Sequence, residues 1–405
     1  MKKAATLLVL FLSLSGFFSC SSLLRNLTDS KDSFRFQKVS ESDWPEGEED
    51  LDRESLFQAL EESLTYLKTQ APERSLPFGS GRIQVQDLVE SLRLFQGLLK
   101  EVQDPAAFRR EVKKRFHLFR LEDPDTPYPL LLTGYYEPIL NGSRRPSDRY
   151  RYPVYRLPDD LLIVELDRFS SKYAGQRLVA RLENRRVIPY FSRQEIDQEG
   201  ALAGKNWEIL WVDDPLKLFF LHIQGSGRVR LEDGSWVRLG YHGTNGRPYV
   251  PIGRELIRRG AIQKEELSLP SIYTYLKNRP EEQAEILNLN PSYVFFREVE
   301  GGPYGNLGRP LTAGRSVAAD QRIYPPAALA WLKGWKPILD EERKIRYWVP
   351  FGRWVFIQDS GGAITGPSRI DLFTGYGEEA EITAGHLRHP GAIWLLLKKE
   401  IHPGS

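Results

Sequence analysis

The segment 353–373 constrains the fold most strongly, because its pattern predicts two β-strands on either side of a glycine-rich turn. A strand-like run leads into Asp359, and Asp371 stands inside an apolar alternation beyond the turn. A carboxyl group flanked by apolar residues is costly to ionise, so its pKa tends to rise. Cleavage of a glycosidic bond requires a general acid that stays protonated near neutral pH. The segment therefore predicts a β-rich fold that presents Asp371 as a candidate proton donor.

The N-terminus has the pattern of an export signal. Lys2 and Lys3 form a positive region, the apolar stretch 4–18 is too short to span a membrane, and Cys20 follows. Cys20 is the only cysteine, so no disulfide can form within the chain. We predict a lipoprotein signal peptide over 1–19, lipidation of Cys20, and a location on the periplasmic face of the outer membrane. The alternative is a secreted protein with an incidental cysteine.

Composition and charge exclude some partners. The 405 residues carry a formal net charge of +2 and are 41% hydrophobic, which is typical of a folded chain of two or three domains. Lys and Arg form no obvious cluster, so we expect no nucleic-acid partner. The six His are scattered without an HExxH motif, so we expect no metal site, and His222 is assigned to the core.

Periodicity predicts an N-terminal helical part. Residues 20–50 are polar and increasingly acidic, which predicts a flexible tether. Leucines at helical spacing predict one helix around 56–67 and a second around 88–99. Pro105 opens a third helix that is expected to run to about Phe119.

The remainder of the chain has a mainly β pattern from Pro153 onward. The apolar run Leu216–Ile223 predicts a long strand, and Glu232–Gly234 predicts the turn of a hairpin. Helices are expected at 252–259 and 280–287. Strands are expected again from Tyr293 to the end.

Further motifs occur in order along the chain: Thr133–Pro138, His222–Gly227, Asn290–Phe296, and Ala318–Asp320 followed by Pro325-Pro326. Together with 358–373, they resemble the three-aspartate barrel of the membrane-bound lytic murein transglycosylase A family. The resemblance covers about 131–399. Each motif alone is weak evidence for this resemblance, but the whole set in this order is specific.

The resemblance implies a mainly β fold with N-terminal helices. A double-psi β-barrel would be built from 51–136 and 290–400, with a second β-rich domain, 137–289, inserted between these parts. A groove between the two domains would hold the glycan strand. The implied protein is a monomer without a cofactor that acts on peptidoglycan glycan strands.

The resemblance also implies roles for individual residues. Asp371 would be the sole catalytic acid and base, although Arg369, two residues away, could instead hold it in a structural ion pair. Asp359 would support Asp371, or it could simply bond the backbone of the turn. The residues expected to bind substrate are Thr133, Tyr135, Tyr136, Glu137, Gln224, Ser226, Asp320, Gly361, Gly362 and Arg369. Packing at a hinge is the alternative for the four residues of the 133–137 segment, and a structural role is the alternative for Asp320.

The implied reaction is lytic transglycosylation, in which one carboxyl group can serve as acid and then as base. Gln224-Gly225-Ser226-Gly227 lacks the first glycine of a nucleophile elbow, so a serine nucleophile is not predicted. Two alternatives stay open. A hydrolase would use Asp371 and Asp359 together, and a binding lipoprotein would use the same barrel without catalysis.

Overall fold

The computed structural model describes residues 34–122 and 130–404. The strands are β1 Arg35–Lys38, β2 Ser75–Phe78, β3 Gly81–Gln84, β4 Phe116–Glu122, β5 Leu130–Glu137, β6 Ile139–Ser143, β7 Tyr152–Tyr155, β8 Leu162–Glu165, β9 Arg177–Glu183, β10 Arg186–Pro189, β11 Glu208–Val212, β12 Gly227–Leu231, β13 Trp236–Thr244, β14 Val294–Glu298, β15 Ser316–Ala318, β16 Leu329–Leu339, β17 Ile345–Asp359, β18 Arg369–Tyr376 and β19 Arg388–Lys398. The α-helices are α1 Arg53–Leu67, α2 Val85–Glu101, α3 Pro105–Arg115, α4 Arg193–Asp197, α5 Pro215–Gln224, α6 Ile252–Arg258, α7 Leu269–Lys277, α8 Pro280–Asn288 and α9 Glu378–His386.

Six strands close into a barrel in the order β5-β18-β15-β17-β16-β19, because β19 pairs with β5 as well as with β16. The pairs β15–β17 and β18–β5 are parallel, and the other pairs of the barrel are antiparallel. β4 and β1 extend the sheet outward from β19. Closure removes the free sheet edges within this layer. The observed fold is mainly β, as the sequence predicted.

A second sheet has the order β14-β13-β12-β6-β11-β7. A bridge between Arg156 and Phe296 connects its two ends, which gives this domain a barrel-like form. Val294–Glu298 pairs with β13, so the sheet reaches beyond residue 289, where the predicted insert ends. The smaller sheet β10-β9-β8 belongs to the same part of the chain.

Helices α1 and α2 cover the barrel, as their leucine spacing predicted. Leu60, Leu64, Leu92 and Phe95 are buried in one core cluster with Trp354 and other barrel side chains. The Asp52 side chain caps α1 by accepting from the Ser55 N–H at 2.7 Å. The third helix, α3, begins at Pro105 as predicted but ends at Arg115, because β4 begins at Phe116 and pairs with β19.

Residues 34–50 form ordered structure, so the tether prediction was wrong for this part. β1 pairs with β4, and Trp44 is buried. The Asp50 carboxylate accepts from Arg353 Nε and Nη2 at 2.8 and 2.6 Å. The partners of this segment are far away in sequence, so its local polarity gave no sign of them. The predicted signal peptide, Cys20 and the beginning of the tether lie outside the described residues.

The predicted strand at Leu216–Ile223 is helix α5, and this prediction was also wrong. The Asp214 side chain accepts from the N–H groups of Leu216 and Lys217, and Pro215 occupies the first turn. Gly225 ends the helix with a φ of 78°. These start and stop signals outweigh the apolar run. Over 34–122 and 130–404, no helix is long and apolar enough to cross a bilayer.

Candidate active site

Four adjacent strands bring the predicted catalytic residues to one surface of the barrel. Ala318 of β15 is the register partner of Asp359 on β17 and of Asp371 on β18. Asp371 in turn pairs with Thr133 of β5. Ile370 and Leu372 share the other face of β18 and are buried in the main core. Because side chains alternate along a strand, Asp371 points away from that core.

Asp371 is a buried carboxyl group that accepts hydrogen bonds from two neighbouring residues. The residue is 9% exposed. The Thr133 hydroxyl donates to Asp371 Oδ1, and Arg369 Nε and Nη2 donate to Oδ1 and Oδ2 at 3.2 and 3.4 Å. Burial raises the pKa of Asp371 to about 6, although Arg369 opposes this shift; nearby Asp359 adds to it.

Asp359 is held at the end of β17 by three donors. The Tyr135 hydroxyl donates to Asp359 Oδ2 at 2.8 Å, and the N–H groups of Asn306 and Ser360 donate to Oδ1, each at 2.8 Å. Burial raises the pKa of Asp359 above its ordinary value, and these three hydrogen bonds oppose the rise. Burial and both aspartates raise the pKa of Tyr135 well above its ordinary value, so its hydroxyl stays a donor.

The contact from Asn306 was not predicted from the sequence, because it uses a backbone N–H group. Gly305 makes the approach possible: a Cβ there would lie 2.5 Å from the Gln358 carbonyl oxygen and 3.3 Å from Asp359 Cγ. A glycine next to Asn306 in a turn is the one sequence signal that could have suggested it.

Asp320, the first of the three aspartates, holds the glycine-rich loop. It accepts from the Gly366 N–H at 2.8 Å and from the N–H and Nε of Arg322 at 3.0 and 2.8 Å. Burial alone would raise the pKa of Asp320, but Arg322 and the two backbone donors together hold it below its ordinary value. Asp320 is therefore a stable carboxylate that anchors the end of the loop.

The loop exposes Gly361 and Gly362 to solvent. A Cβ at Gly362 would meet nothing within 4 Å, so the space above this residue is open to a ligand. Arg369 Nη1 donates to the Ala363 carbonyl at 3.4 Å and so connects this loop to Asp371. The Arg369 side chain is 36% exposed.

The inserted domain also approaches this surface. The pKa of Tyr249, in the loop after β13, is raised by burial and lowered to a smaller extent by the Arg369 guanidinium. Tyr249 is 40% exposed, so its ring is accessible beside the site. Tyr249 was not predicted from the sequence, because an aromatic residue directly after Pro248 in a loop is only a weak signal.

The other predicted binding residues form the junction between the domains. Glu137 is fully buried: Arg228 Nε donates to Oε2 at 2.6 Å, and Arg238 Nε lies 3.1 Å from Oε1. Gln224 Oε1 accepts from the Tyr136 N–H at 3.0 Å. Tyr136 packs against α9, and Ser226 is buried in the loop between α5 and β12.

These contacts match the hinge alternative for Tyr136 and Glu137, because their polar groups serve the protein itself. A carboxylate without exposed surface does not meet a ligand in this conformation. Thr133, Tyr135, Arg369 and the loop glycines lie together with the two aspartates, whereas Glu137, Gln224 and Tyr136 hold the insert against β5. His222, on α5, is buried with Nδ1 3.0 Å from Arg193 Nη1, as expected of a core residue.

Comparison with known proteins agrees with this architecture. Residues 131–297 match the MltA specific insert domain, and residues 315–397 match the 3D domain. The membrane-bound lytic murein transglycosylase A of Escherichia coli K12 is 32% identical over 69% of this chain and 68% of its own length. The Vibrio cholerae protein of the same name is 32% identical over 66% of this chain and 65% of its own length.

Solved structures give the same result. The membrane-bound lytic murein transglycosylase of Agrobacterium tumefaciens is 31% identical with a TM-score of 0.74, over 90% of this chain and 98% of that one. The E. coli MltA structure with bound chitohexaose is 25% identical with a TM-score of 0.67, over 92% of this chain and 96% of that one. The chain therefore belongs to the membrane-bound lytic murein transglycosylase A family of peptidoglycan-cleaving enzymes.

Proposed function

We propose that this chain cleaves the β-1,4 bond between N-acetylmuramic acid and N-acetylglucosamine and leaves 1,6-anhydromuramic acid ends. Asp371 is the single acid and base. The observation that carries the proposal is its buried carboxyl group, whose pKa is raised to about 6. A group that titrates near neutral pH can donate a proton in one step and accept one in the next.

The reaction proceeds in two proton transfers. The Asp371 carboxyl group protonates the glycosidic oxygen, and the bond breaks with oxocarbenium character at C1 of the muramic acid. The resulting carboxylate takes the proton from the C6 hydroxyl of the same sugar, and that oxygen attacks C1. The ring closes without water, and the carboxyl group is protonated again. Proton transfer of this kind contributes about 10²–10⁴-fold to the rate.

Asp359 has a supporting role in this scheme. Its three hydrogen-bond donors fix the carboxyl group at the end of β17, opposite Ala318 of β15, whose other register partner is Asp371. A carboxylate there stabilises the positive charge that develops on the sugar. Thr133 orients the Asp371 carboxyl group through its hydroxyl. The exposed loop with Gly361 and Gly362 lets the saccharide approach the backbone.

We place the glycan strand in a groove between the barrel (51–136 and 290–400) and the insert (137–289). The effect of the Arg369 charge on the pKa of Tyr249 supports this site, because it indicates that a residue of the insert lies near the loop of Asp371. The structure of a relative in E. coli has been solved with bound chitohexaose, a saccharide chain. Arg369 and the loop glycines border the site, whereas Gln224 and the buried Ser226 lie at the junction of the two domains.

We also propose that the protein is attached to the cell envelope through a lipid on Cys20, at the periplasmic face of the outer membrane. The relatives in E. coli and V. cholerae carry the description membrane-bound. The sequence of the first 20 residues supports a lipoprotein signal. We expect a monomer.

Mass spectrometry of the muropeptides released from purified peptidoglycan tests the proposal, with Asp371→Asn as the comparison. We expect anhydro-muropeptides from the wild type and none from the variant. Products heavier by one water would instead assign a hydrolase with two carboxyl groups. Binding of the sacculus without release by either protein would assign a binding lipoprotein.

A further inference from the structure

The small sheet β8–β10 of the insert leaves an apolar surface uncovered. Ile163, Phe169, Leu178, Leu182 and Val187, here called the outer patch, are 56%, 76%, 51%, 65% and 55% exposed. The register pairs Leu182 with Val187 across β9 and β10, and Leu178 lies on the same side of β9. Single exposed apolar residues are ordinary, but five within one small sheet and its connection mark an interaction surface.

The small sheet packs against the insert, so the exposure of the outer patch does not arise from a missing packing partner for the whole sheet. Val179, on β9, packs into the cluster that contains Tyr190 and Phe295. The Arg181 guanidinium lies 4.0 Å from the centroid of the Phe191 ring. One side of the sheet is therefore seated on the insert, and most of the outer patch lies on the other side.

Exposed basic residues are concentrated in the same small sheet, where Arg177 and Arg186 alternate with Leu178 and Val187 along the strands. Residues 162–189 contain six Arg and Lys and three Asp and Glu, a net charge of +3, whereas the whole chain has +2. Glu165 pairs with Arg168 and Glu183 with Arg181. The four exposed cations Lys172, Arg177, Arg185 and Arg186 have no acidic group within 4.0 Å in the described part of the chain.

An apolar surface with exposed cations in the same small sheet is complementary to an anionic lipid surface. Phe and Leu enter the boundary between headgroups and acyl chains, while Arg and Lys remain at the charged headgroups. A glycan strand presents hydroxyl groups, which would find no hydrogen-bond partners on this apolar surface. The 13 residues between Cys20 and Phe34 span at most about 45 Å when fully extended. With a lipid on Cys20, the folded part of the chain stays within that distance of a bilayer.

We propose that the outer patch and its four cations dock the insert onto an anionic phospholipid surface. The contact is additional to any lipid on Cys20 and orients the folded chain relative to the membrane. It does not depend on the proposed reaction, because none of its residues belongs to the site around Asp371.

Co-sedimentation with lipid vesicles tests this proposal, using the chain from Ser21 onward, which keeps every described residue and lacks the apolar leader. The vesicles contain either phosphatidylcholine alone or phosphatidylcholine with about 30% phosphatidylglycerol. We expect binding to the anionic vesicles that is at least about tenfold stronger than to the neutral ones and that weakens from about 0.05 to 0.5 M salt. Absence of binding to either vesicle would overturn the proposal.

Two variants assign the contact to the outer patch. The apolar variant carries Phe169→Ser, Leu182→Thr and Val187→Thr, and the charge variant carries Lys172→Gln, Arg177→Gln and Arg186→Gln. Each is expected to lose at least about tenfold in affinity. The control variant, Trp236→Thr with Tyr241→Thr and Tyr347→Thr, removes similarly exposed aromatic residues elsewhere and should bind as the wild type does.

Release of muropeptides by each variant checks that the chain is folded and should be unchanged. Equal vesicle binding by the wild type and the charge variant would overturn the proposal even if the apolar variant failed to fold. Concentration-dependent dimerisation of the wild type that the apolar variant abolishes would assign the outer patch to a second copy of the chain, and would also overturn it.

Discussion

Asp320 and Asp371 are two buried aspartates, each beside an arginine two residues away, and their pKa values move in opposite directions. Asp320 is bonded to Arg322 at 2.8 Å and accepts two backbone N–H groups, and its pKa is lowered. Asp371 has longer hydrogen bonds to Arg369, 3.2 and 3.4 Å, and within residues 34–122 and 130–404 its only other donor is the Thr133 hydroxyl. Its pKa is raised to about 6.

The spacing of Arg and Asp in sequence therefore does not determine the ionisation state of the carboxyl group. Backbone N–H donors and a close guanidinium stabilise the charged form of Asp320, whereas burial and nearby Asp359 destabilise the charged form of Asp371. One carboxylate anchors a loop, and the other is suited to exchange a proton.

The largest expected effect is the loss of activity in Asp371→Asn. Removal of the proposed acid and base should lower the rate of muropeptide release by about 10²–10⁴-fold. Release rates measured on purified peptidoglycan check this prediction. Asp320→Asn is the matched control and should lose about tenfold or less, since it supports the loop without exchanging a proton. Equal losses in the two variants would contradict the distinction between them.

Asp371 should also lower the free energy of unfolding of the chain at neutral pH. Because its pKa is about 6 in the folded chain and 3.8 is the ordinary value, the folded state binds more protons than the unfolded state between these values. Stability from this residue is therefore lost as the pH rises from about 4 to 6. At pH 7 the cost is at most about 3 kcal/mol. Thermal unfolding should show Asp371→Asn more stable than the wild type at pH 7, with a smaller difference at pH 4.

Asp320→Asn should change stability in the other direction. The variant loses the charged acceptor of Gly366 and Arg322, which should lower the free energy of unfolding by about 1–3 kcal/mol at pH 7. Because the pKa of Asp320 is lowered, its contribution is present at neutral pH and is lost as the pH falls through the lowered value. Denaturant unfolding at pH 7 measures the difference. A variant as stable as the wild type would show that Asp320 does not anchor the loop.

The smallest expected effect is a shift of the pH profile in Arg369→Gln. Arg369 favours the carboxylate form of Asp371, so its removal should raise the pKa of Asp371 further. The limb of the pH profile of kcat/KM on which the acid loses its proton should move upward by about one pH unit. Lys in place of Arg369 keeps the charge and should largely restore the profile. A shift to lower pH would contradict this role for Arg369.

Local signals in the sequence predicted part of the fold well. The hairpin of β12 and β13 has its turn at Glu232–Gly234, and the leucine stripes of α1 and α2 face the barrel. The helix signals Asp214, Pro215 and Gly225 were present, but the apolar run between them was given more weight. The pattern of segment 353–373 predicted the strand–turn–strand arrangement of β17 and β18 correctly.

Long-range contacts were beyond what the sequence could predict. Asp50 pairs with Arg353, 303 positions away, so a polar segment resembled a tether. The burial of Glu137 depends on Arg228 and Arg238 of the insert, and the Asn306 N–H reaches Asp359 through a backbone contact. The sequence predicted the three aspartates as members of one site, but the donors that set the pKa values of Asp320 and Asp371 come from other strands and loops.

Direct titration of the Asp371 carboxyl group tests whether this aspartate keeps its proton near neutral pH. Carbon NMR of chain labelled at the aspartate Cγ, recorded as a difference between the wild type and Asp371→Asn, isolates this group and its effect on Asp359. A carboxyl signal that titrates near pH 6, absent from Asp371→Asn and retained in Asp320→Asn, is the predicted result. A difference signal that titrates only below about pH 4 would contradict the account, because Asp371 would then be a carboxylate at the pH at which it must donate a proton.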